Sequence, residues 1–282
     1  MLRLPQSAAA ASVLACLALL GASRPEQVRP LRVCADPNNL PYSNARHQGF
    51  EDKLAELVGK ELHRPVKYYY WAQRRGFIRN TLNAGHCDVI MGTAAGLEMV
   101  ATTKPYYRSA YTFVSKVTSP DIRSLDDPRL HQVKVGVQLI GDDFNNTPPA
   151  TGLTKRGIVR NVRGYTVYGD YREPNPPSRI VTAVEKGEVD VALVWGPLAG
   201  YFAKQSPVPL RVVPISPRAD GPLPYTFAIA MGVRKADKAF RDTLDQVIVR
   251  RAAEIHRLLA DYGVPLVEAE PVGRKVGMSG GR

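Results

Sequence analysis

Residues 31–43 read LRVCADPNNLPYS, in which a short apolar run ends at a turn. The apolar run, 31–35, has the length and composition of a buried strand, and 36–39 contains residues that favour turns. Four more elements follow: helix 51–62, strand 66–71, helix 77–83 and strand 88–92. The resulting order βαβαβ indicates a parallel sheet with crossover helices.

The second half of the chain leaves this unit, builds another and returns. The predicted elements are strands 111–115 and 133–138, helix 179–186, strand 189–195, helix 197–204, strands 210–213 and 226–232, and one long helix 236–259. Residues 169–177 contain three prolines and predict a surface loop. Two crossings between two α/β units predict a hinge.

The predicted fold class is therefore α/β, with two open α/β sheets joined by a two-strand hinge. Lobe I would comprise 31–113 with 222–266, lobe II 114–221, and 267–282 would be a disordered tail. In open α/β sheets, ligands bind at the carboxyl ends of the strands. The sequence thus predicts a binding cleft between the two lobes.

The N-terminus predicts export. Arg3, an apolar run over 8–20 and small residues at 21–23 form the layout of a cleaved secretory signal, 1–23. The apolar run is shorter than the roughly 20 residues that span a bilayer; a buried helix or an anchor is the alternative. Cys34 and Cys87 remain after cleavage. An even pair in an exported chain suggests one disulfide, with two reduced buried thiols as the alternative.

The chain carries a formal charge of +12, with basic clusters around 74–79, 155–163 and 250–257. Such a surface attracts acidic partners and speeds their encounter. The sequence contains no nucleic-acid-binding motif, and export would take the chain away from nucleic acid. An acidic periplasmic protein is the expected partner, with simple solubility as the alternative explanation of each cluster.

Short motifs recur along the chain in a fixed order. They are Leu31-Arg32-Val33 with Asp36, Leu40-Pro41-Tyr42-Ser43, Gly49-Phe50-Glu51, 87–92 (CDVIMG), Pro105-Tyr106-Tyr107, 134–138 (KVGVQ) and 187–192 (GEVDVA). In order and spacing they resemble the periplasmic solute-binding proteins of the polar-amino-acid type. The resemblance covers residues 31–266 and implies the type II, two-lobed periplasmic solute-binding protein fold.

Three segments carry a narrower resemblance: 71–82 (WAQRRGFIRNTL), 101–109 (ATTKPYYRS) and 146–149 (NTPP). They resemble the quinoprotein-dehydrogenase-associated branch of that superfamily, the MoxJ/XoxJ type, which shares the pair of cysteines. The resemblance implies a periplasmic accessory protein, and we expect it to have no cofactor. Its implied partner is a methanol dehydrogenase carrying pyrroloquinoline quinone, of the calcium-dependent or lanthanide-dependent type, with the associated c-type cytochrome as a further partner.

The positions that hold an amino acid in ordinary binders of this type differ here. In those binders a Thr and an Arg after the third strand hold the ligand carboxylate, because a guanidinium can bond it bidentately. Here 92–99 reads GTAAGLEM and keeps Thr93 without an Arg. In those binders an Asp in the second lobe binds the ligand amine. The corresponding segment here is Val194-Trp195-Gly196-Pro197, which contains no acid. Unpaired charges in a dry cleft are costly, so an ordinary amino acid is not the expected ligand.

The remaining cleft residues are mostly aromatic and basic, and suit a small aromatic ligand or a loop of a partner protein. The predicted cleft residues are Asp36, Asn38, Tyr42, Trp71, Arg74, Arg75, Thr93, Tyr107, Gly141, Asp142, Trp195 and Gly196. Core packing is the alternative for Trp71 and Trp195, and interlobe packing for Tyr107. We expect Asp36 and Glu51 to fix local backbone or to cap a helix.

Patterns for catalysis and metal binding are scarce. The five His do not pair at metal-ligand spacing, and there is neither a nucleophile elbow nor a phosphate-binding loop. Asp126-Asp127 and Asp142-Asp143 lack the Gly and bidentate Glu of a calcium loop. We expect no enzymatic activity and no metal. The alternatives are the solute-binding component of an ABC transporter for a small, non-amino-acid ligand, and an enzyme such as a dehydratase on the same fold.

Overall fold

The structure, a computed structural model, describes residues 28–139, 146–166 and 171–268. The predicted signal peptide, Gly141 and Asp142 lie outside the described residues, as does nearly all of the predicted tail. Within the described ranges, no helix is both long and apolar enough to cross a membrane.

Fourteen strands and seven α-helices lie in the part of the chain that the structure describes. The strands are β1 (Leu31–Ala35), β2 (Asn38–Asn39), β3 (Ser43–Asn44), β4 (Val66–Tyr70), β5 (Val89–Ala94), β6 (Ala101–Thr102), β7 (Tyr107–Lys116), β8 (Val135–Leu139), β9 (Val162–Thr166), β10 (Val191–Trp195), β11 (Leu210–Pro214), β12 (Ala219–Asp220), β13 (Leu223–Pro224) and β14 (Thr226–Val233). The helices are α1 (Phe50–Glu61), α2 (Phe77–Asn80), α3 (Pro148–Lys155), α4 (Arg179–Lys186), α5 (Gly196–Gln205), α6 (Lys238–Arg250) and α7 (Ala252–Asp261).

Two sheets share strand β7. In the first sheet, β1 pairs in parallel with β4 and with β5, which confirms the predicted βαβαβ order. The first residues of β7, up to Ala110, pair with β14 of this first sheet. From Tyr111 onward β7 pairs with β10 and β11 of the second sheet, where β10, β8 and β9 run in parallel. The two-sheet α/β fold is therefore confirmed, while the lobe boundaries stay a prediction.

Apolar side chains of both sheets are covered by helices. On the first sheet, Phe50, Leu54 and Val58 of α1 share one buried cluster with residues of α6 and α7. These positions repeat at helical spacing, so one face of α1 is apolar and packs inward. On the second sheet, Ile180 and Val184 of α4 are buried in another cluster with residues of β10 and α5. Each sheet thus has its own core.

The C-terminal helix differs from the prediction of one long helix over 236–259. Two helices, α6 and α7, meet at Arg251, whose backbone (φ −105°, ψ 13°) departs from helical values. Arg250 and Arg251 both pair with the carboxylate of Glu61, at 2.7 Å each. Successive helical residues point about 100° apart. The break accompanies this double ion pair, which brings both side chains to one acid.

Helix α2 is shorter than the predicted 77–83. The Thr81 hydroxyl donates a 2.7 Å hydrogen bond to the Phe77 carbonyl, and Thr81 itself has non-helical dihedrals (φ −121°, ψ −78°). Side-chain bonds of this kind compete with the helical ladder. The helix therefore ends at Asn80.

Helix α3 and strand β9 were not predicted. Helix α3 begins with two prolines, which suit the first turn because no N–H is needed there. Thr147, just before it, is fully buried and donates a 2.7 Å hydrogen bond to the Gln138 carbonyl. The NTPP motif therefore has a structural role in starting this helix beside β8.

The predicted disulfide is confirmed between Cys34 and Cys87, whose Cα atoms lie 5.4 Å apart. It joins β1 to the segment before β5. Both residues are buried in one apolar cluster with Phe77 and Ile90.

Candidate functional site

A small cavity lies where the first sheet meets the end of β10, and we call it the cleft cavity. Its volume is about 150 Å³. Its polar lining is Asn39, Glu51, Gln73 and Thr93. Its other lining residues are Tyr42, Gly92, Ala94, Tyr107, Trp195 and Ile229. The carboxyl end of β5 contributes to it, as expected for an open α/β sheet.

Aromatic rings from both sheets frame the cleft cavity. Tyr42 packs edge-on against Phe50 with ring centroids 5.5 Å apart, and Phe50 packs against Tyr107 at 6.2 Å. From the second sheet, Trp195 packs edge-on against Tyr111 at 5.2 Å. Edge-to-face packing of this kind fixes the rings in place. Tyr42, Tyr107 and Trp195 are thus the aromatic part of the cavity wall.

Glu51 is the acid of the cleft cavity. Glu51 is only 8% exposed, and burial and the Asp52 charge, with no hydrogen bond, act on its carboxyl. Burial, reinforced by the neighbouring Asp52 charge, raises the pKa of Glu51 to about 8. The capping role expected of Glu51 belongs instead to Asp52, which accepts a 2.9 Å hydrogen bond from the Gly49 N–H at the start of α1. At neutral pH Glu51 is therefore mostly protonated.

The described lining of the cleft cavity contains neither Lys nor Arg. Among these residues nothing can clasp a ligand carboxylate bidentately. The second sheet contributes Trp195, and no acid, to that lining. Its volume is also below the roughly 300–1,000 Å³ of ordinary small-molecule sites. The cavity's chemistry therefore differs from a grip on both ends of an amino acid.

Asp36 holds backbone and does not line the cleft cavity. Its carboxylate accepts hydrogen bonds from the N–H groups of Asn38 (2.8 Å) and Gln73 (2.7 Å). The Tyr171 hydroxyl lies 3.5 Å from it. Asp36 therefore has the structural role that the sequence favoured.

Asn38, in β2, links the segment after β1 to a loop that precedes α4. Its side-chain amide donates a 2.8 Å hydrogen bond to the Glu173 carbonyl, and its oxygen accepts one of 3.3 Å from the Asn175 N–H. These bonds join segments 135 or more positions apart. Asn38 thus connects the two halves of the molecule at the edge of the cleft.

A larger cavity of about 470 Å³ adjoins the first and shares Gln73, Gly92 and Thr93 with it. We call it the arginine cavity. Its basic lining is Arg74, Arg75 and Arg79. Its apolar lining is Phe77, Ile78, Ile90 and Met99, and Gly76 completes the loop. This cavity is large enough for a small organic molecule.

The structure divides the predicted cleft residues. Tyr42, Thr93, Tyr107 and Trp195 line the cleft cavity. Arg74 and Arg75 line the arginine cavity. Trp71 is 40% exposed and lines neither of these two cavities, so it is not a core residue. Gly196 is buried at the start of α5, where an added Cβ would come within 2.6 Å of the Ala110 carbonyl oxygen.

Sequence reasoning missed several lining residues: Asn39, Gln73, Arg79 and Met99, and it assigned Glu51 a different role. Asn39 and Gln73 are joined by a 2.8 Å side-chain hydrogen bond across 34 positions. No local pattern signals such a pair. For Arg79, the run of three arginines in 74–79 was the available signal.

Two α/β sheets that share a strand, with a cavity where they meet, define a two-lobed solute-binding protein. Residues 31–264 match the model of the bacterial extracellular solute-binding proteins, family 3, and the chain belongs to that family.

Its relatives include Protein MoxJ of Methylorubrum extorquens, 31% identical over 251 residues that cover 84% of this chain and 81% of the relative. The crystal structure of the periplasmic binding protein XoxJ from Methylobacterium extorquens is 37% identical, with a TM-score of 0.71, over 85% of this chain and all of that one. MxaJ from Methlophaga aminisulfidivorans, at 24% identity, has the same fold, with a TM-score of 0.71 over 84% of this chain and 100% of that one.

Proposed function

We propose that this protein is a periplasmic, non-catalytic accessory of a methanol dehydrogenase that carries pyrroloquinoline quinone. It would assist the maturation, activation or docking of that enzyme through a solute-binding scaffold. The observation that carries the proposal is the cleft cavity, which is small and has no Lys or Arg in its described lining. A scaffold whose cleft lacks a grip for amino acids is free to serve as a protein-contact module.

The relatives support the same direction. The likeness to MoxJ and XoxJ extends over more than four fifths of this chain, including both sheets. The basic character of the chain supports an acidic partner, because a strong positive field steers oppositely charged proteins toward it. The c-type cytochrome of the same system is a further proposed partner.

The direct test is complex formation with a purified methanol dehydrogenase in its pyrroloquinoline-quinone form. We expect binding at low salt that weakens as salt screens the charges. An amino-acid-binding member of the same family serves as the fold control. Glu51→Gln serves as the matched variant, because it alters the cleft cavity and leaves the outer surface unchanged.

Two outcomes contradict the accessory role. One is the absence of any complex at low salt together with an unchanged yield of active dehydrogenase when the protein is omitted. The other is equal binding by the amino-acid-binding control. Turnover of an alcohol by the purified protein alone would contradict its non-catalytic character.

A second function, transport of a small non-amino-acid ligand, is favoured by one specific observation. The Asn39 Oδ1 atom is buried without a hydrogen-bond partner among the described residues, and Asn39 lines the cleft cavity together with the buried Glu51. Buried polar groups normally have partners, so a small molecule with hydrogen-bond donors would satisfy them. A thermal-shift screen tests this, since a ligand that binds the folded state raises the melting temperature. No shift with any compound below millimolar concentration would remove this alternative.

A further inference from the structure

The arginine cavity combines three cationic side chains with an apolar floor. We propose that it is a binding site for a small aromatic carboxylate bearing at least two negative charges. The ring would lie on the apolar floor, and the carboxylates would meet the guanidinium groups. The site and its ligand class are inferred from the residues that line the cavity. They go beyond the proposed accessory function.

The three arginines are available for such a ligand. Arg74, Arg75 and Arg79 are exposed, and none forms an ion pair within the described parts of the chain. The charge of Arg74 does act on Asp36, but that carboxylate is buried and already accepts two N–H groups. A guanidinium that has no carboxylate partner within the protein can donate two parallel hydrogen bonds to a ligand carboxylate.

Other arginines of this chain, by comparison, form ion pairs with carboxylates. Arg156 pairs with Asp126 at 2.7 Å and with Asp220 at 2.9 Å. Arg234 pairs with Asp88 at 3.2 Å and with Asp237 at 2.7 Å. By contrast, the described lining of the arginine cavity contains no Asp or Glu. Its electrostatics therefore favour an anion and disfavour a cation.

The floor of the cavity suits a ring. Phe77 and Ile90 are nearly fully buried and present apolar surface, and Met99 at the rim is 49% exposed. An exposed Met next to a cavity is an adaptable apolar contact. Covering the exposed parts of Ile78 and Met99 with a ligand ring removes apolar surface from water, which stabilises the complex. A neutral hydrophobe would leave the arginines unused, so both features together select an aromatic anion.

The loop that presents the arginines is held in place before any ligand arrives. The Gln73 N–H is bonded to Asp36, and the Phe77 N–H donates to the Arg74 carbonyl at 2.9 Å. Gly76 has a φ of +88°, a left-handed conformation that residues other than glycine rarely adopt. Because the backbone is fixed, binding costs mainly the ordering of three side chains.

Isothermal titration calorimetry of the mature protein with trimellitate, a benzene ring with three carboxylates, tests the proposal. We expect binding that weakens with salt and is lost with the neutral triamide of the same ring. Arg75→Ala and Arg79→Ala should each weaken binding about tenfold or more. Arg75→Lys should restore part of it, since it keeps the charge without the fork. Arg160→Ala, an exposed arginine on the second half of the molecule, is the matched control and should leave binding unchanged.

Met99→Glu should abolish binding by charge repulsion, whereas Met99→Gln should weaken it only slightly. Both substitutions lie at an exposed side chain, so the melting temperature should stay unchanged. The proposal is overturned if trimellitate does not bind, if the triamide binds equally, or if Arg160→Ala weakens binding as much as Arg75→Ala. It is also overturned if the arginine variants lose only the dehydrogenase complex, which would leave the proposed function intact and assign the cavity to a partner protein.

Discussion

The carboxylate of Asp36 accepts a 2.7 Å hydrogen bond from the backbone N–H of Gln73, 37 positions further along the chain. This bond ties the loop after β1 to the loop that carries Arg74 and Arg75. Burial raises the pKa of Asp36, although the N–H groups of Gln73 and Asn38 favour its charged form. The two loops that border the cleft therefore depend on one another through a buried acid.

Asp36→Asn is expected to lower the free energy of unfolding by about 1–3 kcal/mol. The two oxygens of Asp36 accept N–H groups from Asn38 and Gln73, and an amide would turn its own NH₂ toward one of them. Urea unfolding followed by circular dichroism measures the change. Asp242→Asn, at an exposed acid on α6, is the control and should shift stability by less than about 0.5 kcal/mol. Equal effects of the two substitutions would contradict the role assigned to Asp36.

Because of Glu51, we expect the free energy of unfolding to fall as the pH rises. Burial raises its pKa from the ordinary value of 4.5 to about 8 in the folded protein. Below 4.5 the carboxyl is protonated in both states; between 4.5 and 8 only the folded state keeps the proton. Stability from this group is thus lost at up to about 1.4 kcal/mol per pH unit across that window.

Glu51→Gln removes this loss, because glutamine does not titrate. We expect the variant to equal the natural protein near pH 4 and to exceed it in stability near pH 8. Asp52, whose pKa burial raises to about 6, is present in both proteins and largely cancels in the comparison. Urea midpoints across this pH range measure the difference. A constant difference at all pH values would refute the raised pKa.

Gly92→Ala is expected to destabilise the protein by about 1–3 kcal/mol, because overpacking forces neighbours to move. An added Cβ at Gly92 would overlap the Glu51 carboxylate in the cleft cavity. Glu51→Ala in the same chain removes that obstacle and should recover most of the loss. Thermal unfolding of the single and double variants measures the coupling. Simple additivity of the two substitutions would show that Gly92 is required for another reason.

Removal of the disulfide should lower stability by about 4 kcal/mol on the chain-entropy model. Cys34 and Cys87 are 53 positions apart, so the closed loop is long. Cys34→Ala with Cys87→Ala, compared by thermal unfolding with and without reductant, measures the effect. The double variant should be insensitive to reductant, whereas the natural protein should lose stability when reduced. An unchanged melting temperature on reduction would contradict this expectation.

Periodicity predicted most elements of the fold because apolar spacing reflects burial on one face. It failed where side-chain contacts, near or distant in sequence, accompany a change in the backbone. The break at Arg251 coincides with two arginines that converge on Glu61, 190 positions away, and the end of α2 depends on one hydroxyl bond of Thr81. Trp71 directly follows β4, an edge strand, and is 40% exposed; strand pairing, which decides the edge, is a tertiary property.

The amino-acid sequence alone determined the α/β class, the two-sheet plan and the cysteine pair. The signals were the order of apolar runs, turns and helix faces, and the motifs that resemble solute-binding proteins. Each of these results rests on local pattern and chain order. Only the tertiary structure decided that Glu51 is a buried neutral acid and that Arg74, Arg75 and Arg79 surround an apolar floor. Burial and contacts between segments far apart in sequence set the pKa of an acid. They also decide which side chains surround a guanidinium. The shifted pKa and these side-chain contacts exist only in the folded chain.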